Sequence, residues 1–566
     1  MNYIELTKKQ ANDIILNAYN KACQNGQLDT ITLPNFVVEI PKDTSKGDYA
    51  TSFAMQCSKL LRKKPQDIAT IIIENMELDG TYFSDVTIAG PGFINFSLNS
   101  DIYAEIAKTV YTMGKEYGKT DYFAGQKIMV EFVSANPTGP MHMGNARGGV
   151  LGDCLAETLK WSGADVTREF LINDAGNQVN KFAHSLEGRF IQIIKGDDAI
   201  EFAEDWYQGE DIREVAQKFI DANGTDLIDA DAELRREKLA EFGLVHNIAK
   251  MKADLARYKI DYDVWFNEST LHAAGAVEKT VNILIENGNA YKDEEGTIFI
   301  KSTELFGSDK DDVLMRANGV YTYFAADIAY HVDKFITRGF NTVINIWGAD
   351  HHGHVKRLQR ALDAVGANGS DNLEVVLMQL VRLMRDGEVV RMSKRTGKAI
   401  SLTDLLDEIP IDAARFFFNS RSSDTHLEFD LDLAVKQDSD NPVYYVGYAH
   451  ARIVSILKNL SAEKIVLGDI NDVDLSLLVE PEEINLIKLL ANFPEEIKNA
   501  ARDRDPSKMN KYAIALAGAF HKFYNAVRIR DAKEDVRLAR MVLCQDVKTV
   551  IANCLGIIGI DAPEQM

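Results

Sequence analysis

No Cys-x-x-Cys pair occurs in this chain, and its five cysteines (Cys23, Cys57, Cys154, Cys544 and Cys554) are odd in number and scattered. That pattern argues against a disulfide framework and indicates no structural zinc, so the thiols are expected to be buried and unpaired. Long apolar runs are missing as well. No stretch is long enough to cross a bilayer, and the segment from Met1 to Thr7 lacks the basic-then-apolar order of a secretory leader. A cytoplasmic protein that does not bind membranes is expected. Positive charge is in deficit: 63 Lys and Arg stand against 85 Asp and Glu, a net charge of −22, which argues against a uniformly basic coat for nucleic acid. Any affinity for RNA must then come from local clusters such as Arg62-Lys63-Lys64 and Arg528-Ile529-Arg530. Internal repeats, heptad arrays and low-complexity tracts are absent too.

What is present is enough apolar sequence, 46% over 566 residues, for several cores. Residues 1–110 combine an opening amphipathic helix with two compact blocks, Ile40 to Thr51 and Ile88 to Phe96, and read as a small α+β domain. A nucleotide-binding α/β core is expected over 120–365, interrupted at about 180–300 by a helical, acidic insertion. Its strands resume at Gly296 to Ile300 and at Thr342 to Trp347. A connecting region spans 366–430. From 431 to 566 the periodicity is helical, and Tyr444, Tyr445, Tyr448, Ala449, Arg452 and then Phe520, His521, Phe523, Tyr524 suggest a bundle.

The segment from Val130 to Gly148 carries the most chemistry. A short apolar strand, Ile128 to Val133, runs into a Pro/Gly turn at Asn136 to Pro140, then into His142-Met143-Gly144-Asn145 and a helix to about Trp161. Exposed N–H groups at a helix start attract polyphosphate, and an imidazole and a carboxamide nearby can bond to charge growing on an α-phosphate. Gly144, Gly148 and Gly149 permit close backbone approach. Almost 250 residues later, Gly387 to Lys398 form a basic loop around Arg391-Met392-Ser393-Lys394-Arg395. In-line attack at an α-phosphate needs a cation that follows the departing pyrophosphate, and Lys394 is the candidate, with Arg391 and Lys398 as auxiliaries.

These two motifs resemble the HIGH and KMSKS signatures of class I aminoacyl-tRNA synthetases. The blocks EFVSANPTGPMHMGNARG, REFLINDAGNQ (168–178), TYFAADIAYH (322–331) and WGADHHG (347–353) narrow the resemblance to the bacterial arginyl-tRNA synthetase family, and the N- and C-terminal blocks are similar to its additional and anticodon-binding domains. The resemblance implies a Rossmann-like catalytic domain that joins arginine to ATP and then to the terminal adenosine of its tRNA. It implies His142, Gly144, Asn145 and Lys394 as the catalytic set. Pro140, Met141, Met143, Gly348, Asp350, His351, Arg391, Met392 and Ser393 join them at ATP, which arrives with magnesium. Glu131, Ser134, Asn136, Tyr323 and Asp327 are implied at arginine, where carboxylates suit a forked guanidinium. Tyr444, Tyr448, Arg452 and Tyr524 are implied at tRNA, through stacking on unpaired bases. A monomer without a resident metal is expected.

Two departures from the general signatures bear on the site. Asn145 stands where the signature has histidine, and it is either a phosphate ligand or a cap of the helix start. Arg391 and Arg395 flank the loop lysine and keep its charge. The alternatives are another class I synthetase such as the cysteinyl type, disfavoured by the cysteines, a smaller nucleotidyltransferase, disfavoured by the two flanking domains, and a silent tRNA-binding paralogue, disfavoured by His142, Gly144 and Lys394.

Overall fold

Five parallel strands form the central sheet, in the spatial order Leu373–Met378, Thr342–Gly348, Lys127–Glu131, Asp165–Ile172, Val264–Asn267. The computed structural model describes residues 2–43, 46–390 and 400–566. Ile128, Met129 and Val130 are buried on both faces of the sheet, which is why their run reads as continuously apolar rather than alternating. The order reverses between Lys127–Glu131 and Thr342–Gly348, and the crevice beyond the carboxyl ends of strands at such a reversal is where open α/β sheets bind ligands.

The helix Met143–Trp161 lies on this sheet with residues of every face buried. Its closeness is set by glycine: a β-carbon at Gly152 would lie 2.1 Å from the ring of Phe132. Between the second and third strands in chain order, the helices Asn177–Lys195, Glu210–Asn223 and Ala232–Arg257 close around Phe182, Leu186, Phe190 and Phe219. The helical run expected over 180–300 is interrupted after Arg257, where Val264–Asn267 returns to the central sheet as an edge strand, and helix resumes at Ala276–Glu286. Four residues are too few to display a period. Ile298–Ile300 also departs from expectation, since it is the middle strand of a separate antiparallel sheet with Ala290–Lys292 and Asp312–Met315. A short β-branched run announces a strand but not its partners.

The N-terminal region pairs four antiparallel strands with the helices Tyr3–Gln24, Phe53–Leu61 and Pro65–Glu74 around Phe53, Ile68, Ile94 and Phe96. At the other end, Pro442–Ala462, Pro481–Arg502, Ser507–Ala526 and Glu534–Ile557 form a helical domain. Arg415, fully buried, ties the regions together: it donates to the Ile558 and Tyr258 carbonyls at 3.0 Å and to Asp153 at 2.5 Å. Lys488 reaches Asp48 of the N-terminal region at 2.5 Å. Among the described residues, no helix is long and apolar enough to cross a membrane. All five cysteines are free.

Candidate active site

A cavity of about 1000 Å³ opens at the strand-order reversal. Glu131, Ser134, His142, Met143, Gly144, Asn145, Tyr323, Asp327, Gly348, Asp350 and His351 all line it, so residues from three separate sequence blocks converge on one crevice.

One end is formed by the start of a helix. His142 is the N-cap of the helix Met143–Trp161, and its Nδ1 accepts from the Gly144 N–H at 3.1 Å. A ring nitrogen that accepts carries no proton, so the neutral ring holds its hydrogen on Nε2. Desolvation keeps the imidazole pKa below its ordinary value, which preserves that neutral form. Asn145 Oδ1 accepts from the backbone N–H of His142 at 3.0 Å, completing a reciprocal capping box. Asn145 is thus a cap of the helix start, one of the two roles left open by the sequence. A β-carbon at Gly144 would come within 3.0 Å of the His142 ring and displace it.

The other end is lined by carboxylates. Glu131, Glu169 and Asn345 lie abreast on three adjoining strands, all buried. The helix Tyr323–Val332 and the π-helical turn Asp333–Thr337 after it meet that row residue by residue. His331 pairs with Asn345 at 2.8 Å, Lys334 with Glu131, and Arg338 with Glu169, which also accepts from the Tyr330 hydroxyl at 2.5 Å. The Asp327 carboxylate, on the same helix, pairs with His354 at 2.6 Å and lies 3.1 Å from His331 Nδ1, which hydrogen-bonds to the Asp327 backbone carbonyl at 2.9 Å. Burial alone would raise the Asp327 pKa, but the two imidazoles outweigh it and hold the carboxyl well below the usual range. Tyr323 is half exposed, and its hydroxyl accepts from the Asn177 N–H at 3.0 Å.

Backbone strain sits between these ends. Val133 and Ser134 have φ of +68° and +40°, in the left-handed region that a β-branched residue strongly avoids. The turn brings Ser134 Oγ to 2.9 Å from Glu131 Oε1, where it donates, while it accepts from the Leu171 N–H at 3.1 Å.

Not every expected residue faces this cavity. Asn136 and Pro140 line an adjoining one of about 510 Å³, whose far wall is Tyr207, Gln208 and Asp211 of the insertion; His142 and Asn145 border both. Met141 is buried, and its carbonyl accepts from Leu402 N–H at 2.9 Å, so it supports the tetrad from beneath. His142 also forms an antiparallel bridge with Ser401, which joins the helix start to the chain just beyond the basic loop. Arg391, Met392, Ser393, Lys394 and Lys398 lie outside the described residues.

His331, Lys334, Arg338, His354, Glu169 and Asn345 escaped the sequence reading. Asp327, His331, Lys334 and Arg338 recur at helical spacing along one face of an otherwise apolar helix, and that was the available signal. Among the described residues no cluster could hold a metal ion.

In the C-terminal helices, Tyr444 stacks on Tyr448 at 6.3 Å, and the Arg452 guanidinium lies 4.9 Å from the Tyr448 ring and 4.7 Å from that of Tyr524. His521 joins them, 4.9 Å from Tyr445. Phe523 is fully buried and belongs to the core.

Three family models cover the chain: the arginyl tRNA synthetase N-terminal domain over residues 9–98, the class I (R) tRNA synthetase catalytic domain over 108–437, and the DALR anticodon-binding domain over 446–566. The chain is 50% identical over 565 residues to the arginine–tRNA ligase of Acetivibrio thermocellus, covering 100% of both. It belongs to the arginyl-tRNA synthetase family. The arginine–tRNA ligase of Ruminiclostridium cellulolyticum is likewise 50% identical, with 99% of each chain covered. The Thermus thermophilus arginyl-tRNA synthetase shares the fold, with a TM-score of 0.71 at 21% identity over 97% of this chain and 99% of that one. As a class I synthetase of the arginyl type, the enzyme is an arginine–tRNA ligase with ATP, arginine and tRNA as substrates.

Proposed function

We propose that the two ends of the large cavity divide the first half-reaction between them. The observation that supports this most is the placement of a neutral, Nε2-protonated imidazole at a helix start in the same crevice as the buried Glu131 and the partly buried Asp327 carboxylates. Glu131 and Asp327 take the arginine guanidinium, with Tyr323 and Ser134 beside it, and Asn136 contacts the backbone of the amino acid. The arginine carboxylate attacks the α-phosphate of ATP in line, and pyrophosphate leaves. His142 Nε2–H and the N–H groups opening the helix Met143–Trp161 bond to phosphate oxygens as charge grows there. Lys394 follows the leaving pyrophosphate, with Arg391 beside it, and Gly144 leaves room for the ribose. Gly348, Asp350 and His351 flank the adenosine. ATP enters as its magnesium complex, the ion held by phosphate oxygens and water.

Asn145 acts as a positioning residue that orients His142. In the second half-reaction a ribose hydroxyl of the tRNA terminal adenosine attacks the arginyl carbonyl and AMP departs. No protein nucleophile is required, and catalysis is positioning and electrostatics. The cluster of Tyr444, Tyr448, Arg452 and Tyr524 stacks on anticodon bases. The domain limits of 1–110, 120–365, 366–430 and 431–566, a monomeric state and a cytoplasmic location belong to the same reading. The test is arginine-dependent exchange of pyrophosphate into ATP, measured with and without arginine tRNA. Exchange that needs arginine supports it; exchange driven equally by lysine overturns the arginine assignment.

A further inference from the structure

The carboxylate assigned to arginine already holds a cation of the chain itself. Lys334 donates to Glu131 Oε2, its side chain is 0% exposed, and its ammonium lies 4.0 Å from the centre of the Tyr330 ring. Glu131 Oε1 accepts from Ser134. An ionised carboxylate offers about four lone-pair sites, so about two remain for a ligand. The arrangement is built rather than incidental: His331, Lys334 and Arg338 follow the helix and its π-helical turn across three strands, and each meets its own polar partner. π-Helical turns of this kind recur at functional sites.

We propose that Lys334 is a specificity-determining positioning residue: its ammonium fills the seat on Glu131 that a compact substrate ammonium would take, and leaves the carboxylate's remaining edge to a planar guanidinium. The proposal rests on the reading of Glu131 as an arginine contact. An ammonium is a compact, strongly hydrated charge that must be repaid for its lost water by several acceptors. With Lys334 in place the charge of Glu131 is already matched, and Asp327 is engaged by His331 and His354. A lysine side chain therefore finds a weak field and a like charge at its seat. A guanidinium spreads its charge, is less strongly hydrated, and donates paired N–H groups to the carboxylate edges left free. Forked geometry, rather than bare positive charge, then selects the substrate.

The experiment uses the full-length enzyme with tRNA present and measures exchange with arginine and with lysine for wild type, Lys334→Met, Lys334→Arg, Glu131→Gln and the double variant Glu131→Gln/Lys334→Met. Lys334→Met is expected to lower the ratio of kcat/KM for arginine over lysine by about tenfold or more, the change falling mainly on a lower KM for lysine rather than on kcat, while Lys334→Arg keeps the ratio within about threefold. A folded Lys334→Met enzyme with an unchanged ratio overturns the proposal. Should Lys334→Met fail to fold, the two Glu131→Gln backgrounds decide: because Lys334 acts through Glu131, they should show the same ratio, and a further loss of about tenfold in the double variant overturns the proposal. An unchanged arginine KM in Glu131→Gln overturns the underlying reading of Glu131, separately from the role of Lys334.

Discussion

The two ends of the cavity are made of different material. At the cation end every charged group is already engaged: Glu131 by Lys334 and Ser134, Asp327 by His331 and His354, Glu169 by Arg338 and Tyr330. At the anion end a capping box takes up the His142 and Gly144 N–H groups and thereby fixes one neutral imidazole, with its Nε2–H, at the helix start. A buried carboxylate left alone would protonate or collapse onto a stray cation, so a site for guanidinium must keep its charges partnered before the ligand arrives. Phosphates bring their own charge. The anion end needs only dipoles aimed in advance, which cost little to hold ready.

That contrast can be broken most decisively at Asp327. Asp327→Asn should lower kcat/KM for arginine by about 30-fold to several thousandfold, the range for losing a buried charge contact of about 2–5 kcal/mol, with KM for ATP nearly unchanged. An equal rise in both KM values would show that the two ends are not independent. Lys394→Ala should lower turnover by about 100- to 1000-fold and shift substrate KM values much less. The reverse pattern would remove it from the transition state.

A finer separation comes from Asn145. Replacing it by Ala deletes the acceptor for the His142 N–H and should cost about 1 kcal/mol of stability, read as a lower Tm, with turnover reduced less than tenfold. Asn145→Asp keeps an acceptor but adds charge beside the phosphates, so Tm should hold while kcat falls. Loss of Tm with kcat unchanged would make the cap irrelevant to ATP.

The smallest effect concerns pH. The Asp327 carboxyl has its pKa depressed in the folded protein, so its contribution is fully present above the unfolded value of about 3.9 and is lost only as pH falls through the lower folded value. Arginine KM should accordingly stay flat between about pH 7.5 and 5.5. A rise across that window would mean that the two histidines grip Asp327 less firmly than their distances indicate.

Legibility in the sequence followed how local each feature is. The strand, turn and helix around Pro140 are contiguous, and Gly144 and His142 act within a single turn, so that segment could be read directly. The polar row could not. Glu131, Glu169 and Asn345 are far apart in the chain and become neighbours through sheet register alone. Their partners His331, Lys334 and Arg338 meet them only because one helix and its π-helical turn cross three strands. Val264–Asn267 and Ile298–Ile300 were opaque for a related reason: a short strand carries no mark of the sheet it will join.

By itself the sequence determined the family and the contiguous strand, turn and helix around Pro140, because these depend on residue type and near-neighbour spacing; the roles of the carboxylates, the lysine loop and the C-terminal aromatic residues it carried only through the resemblance. Tertiary structure alone decided which charge answers which. A buried ion pair forms only where two distant segments bring opposite charges together out of water, and no local pattern in the chain encodes that distance.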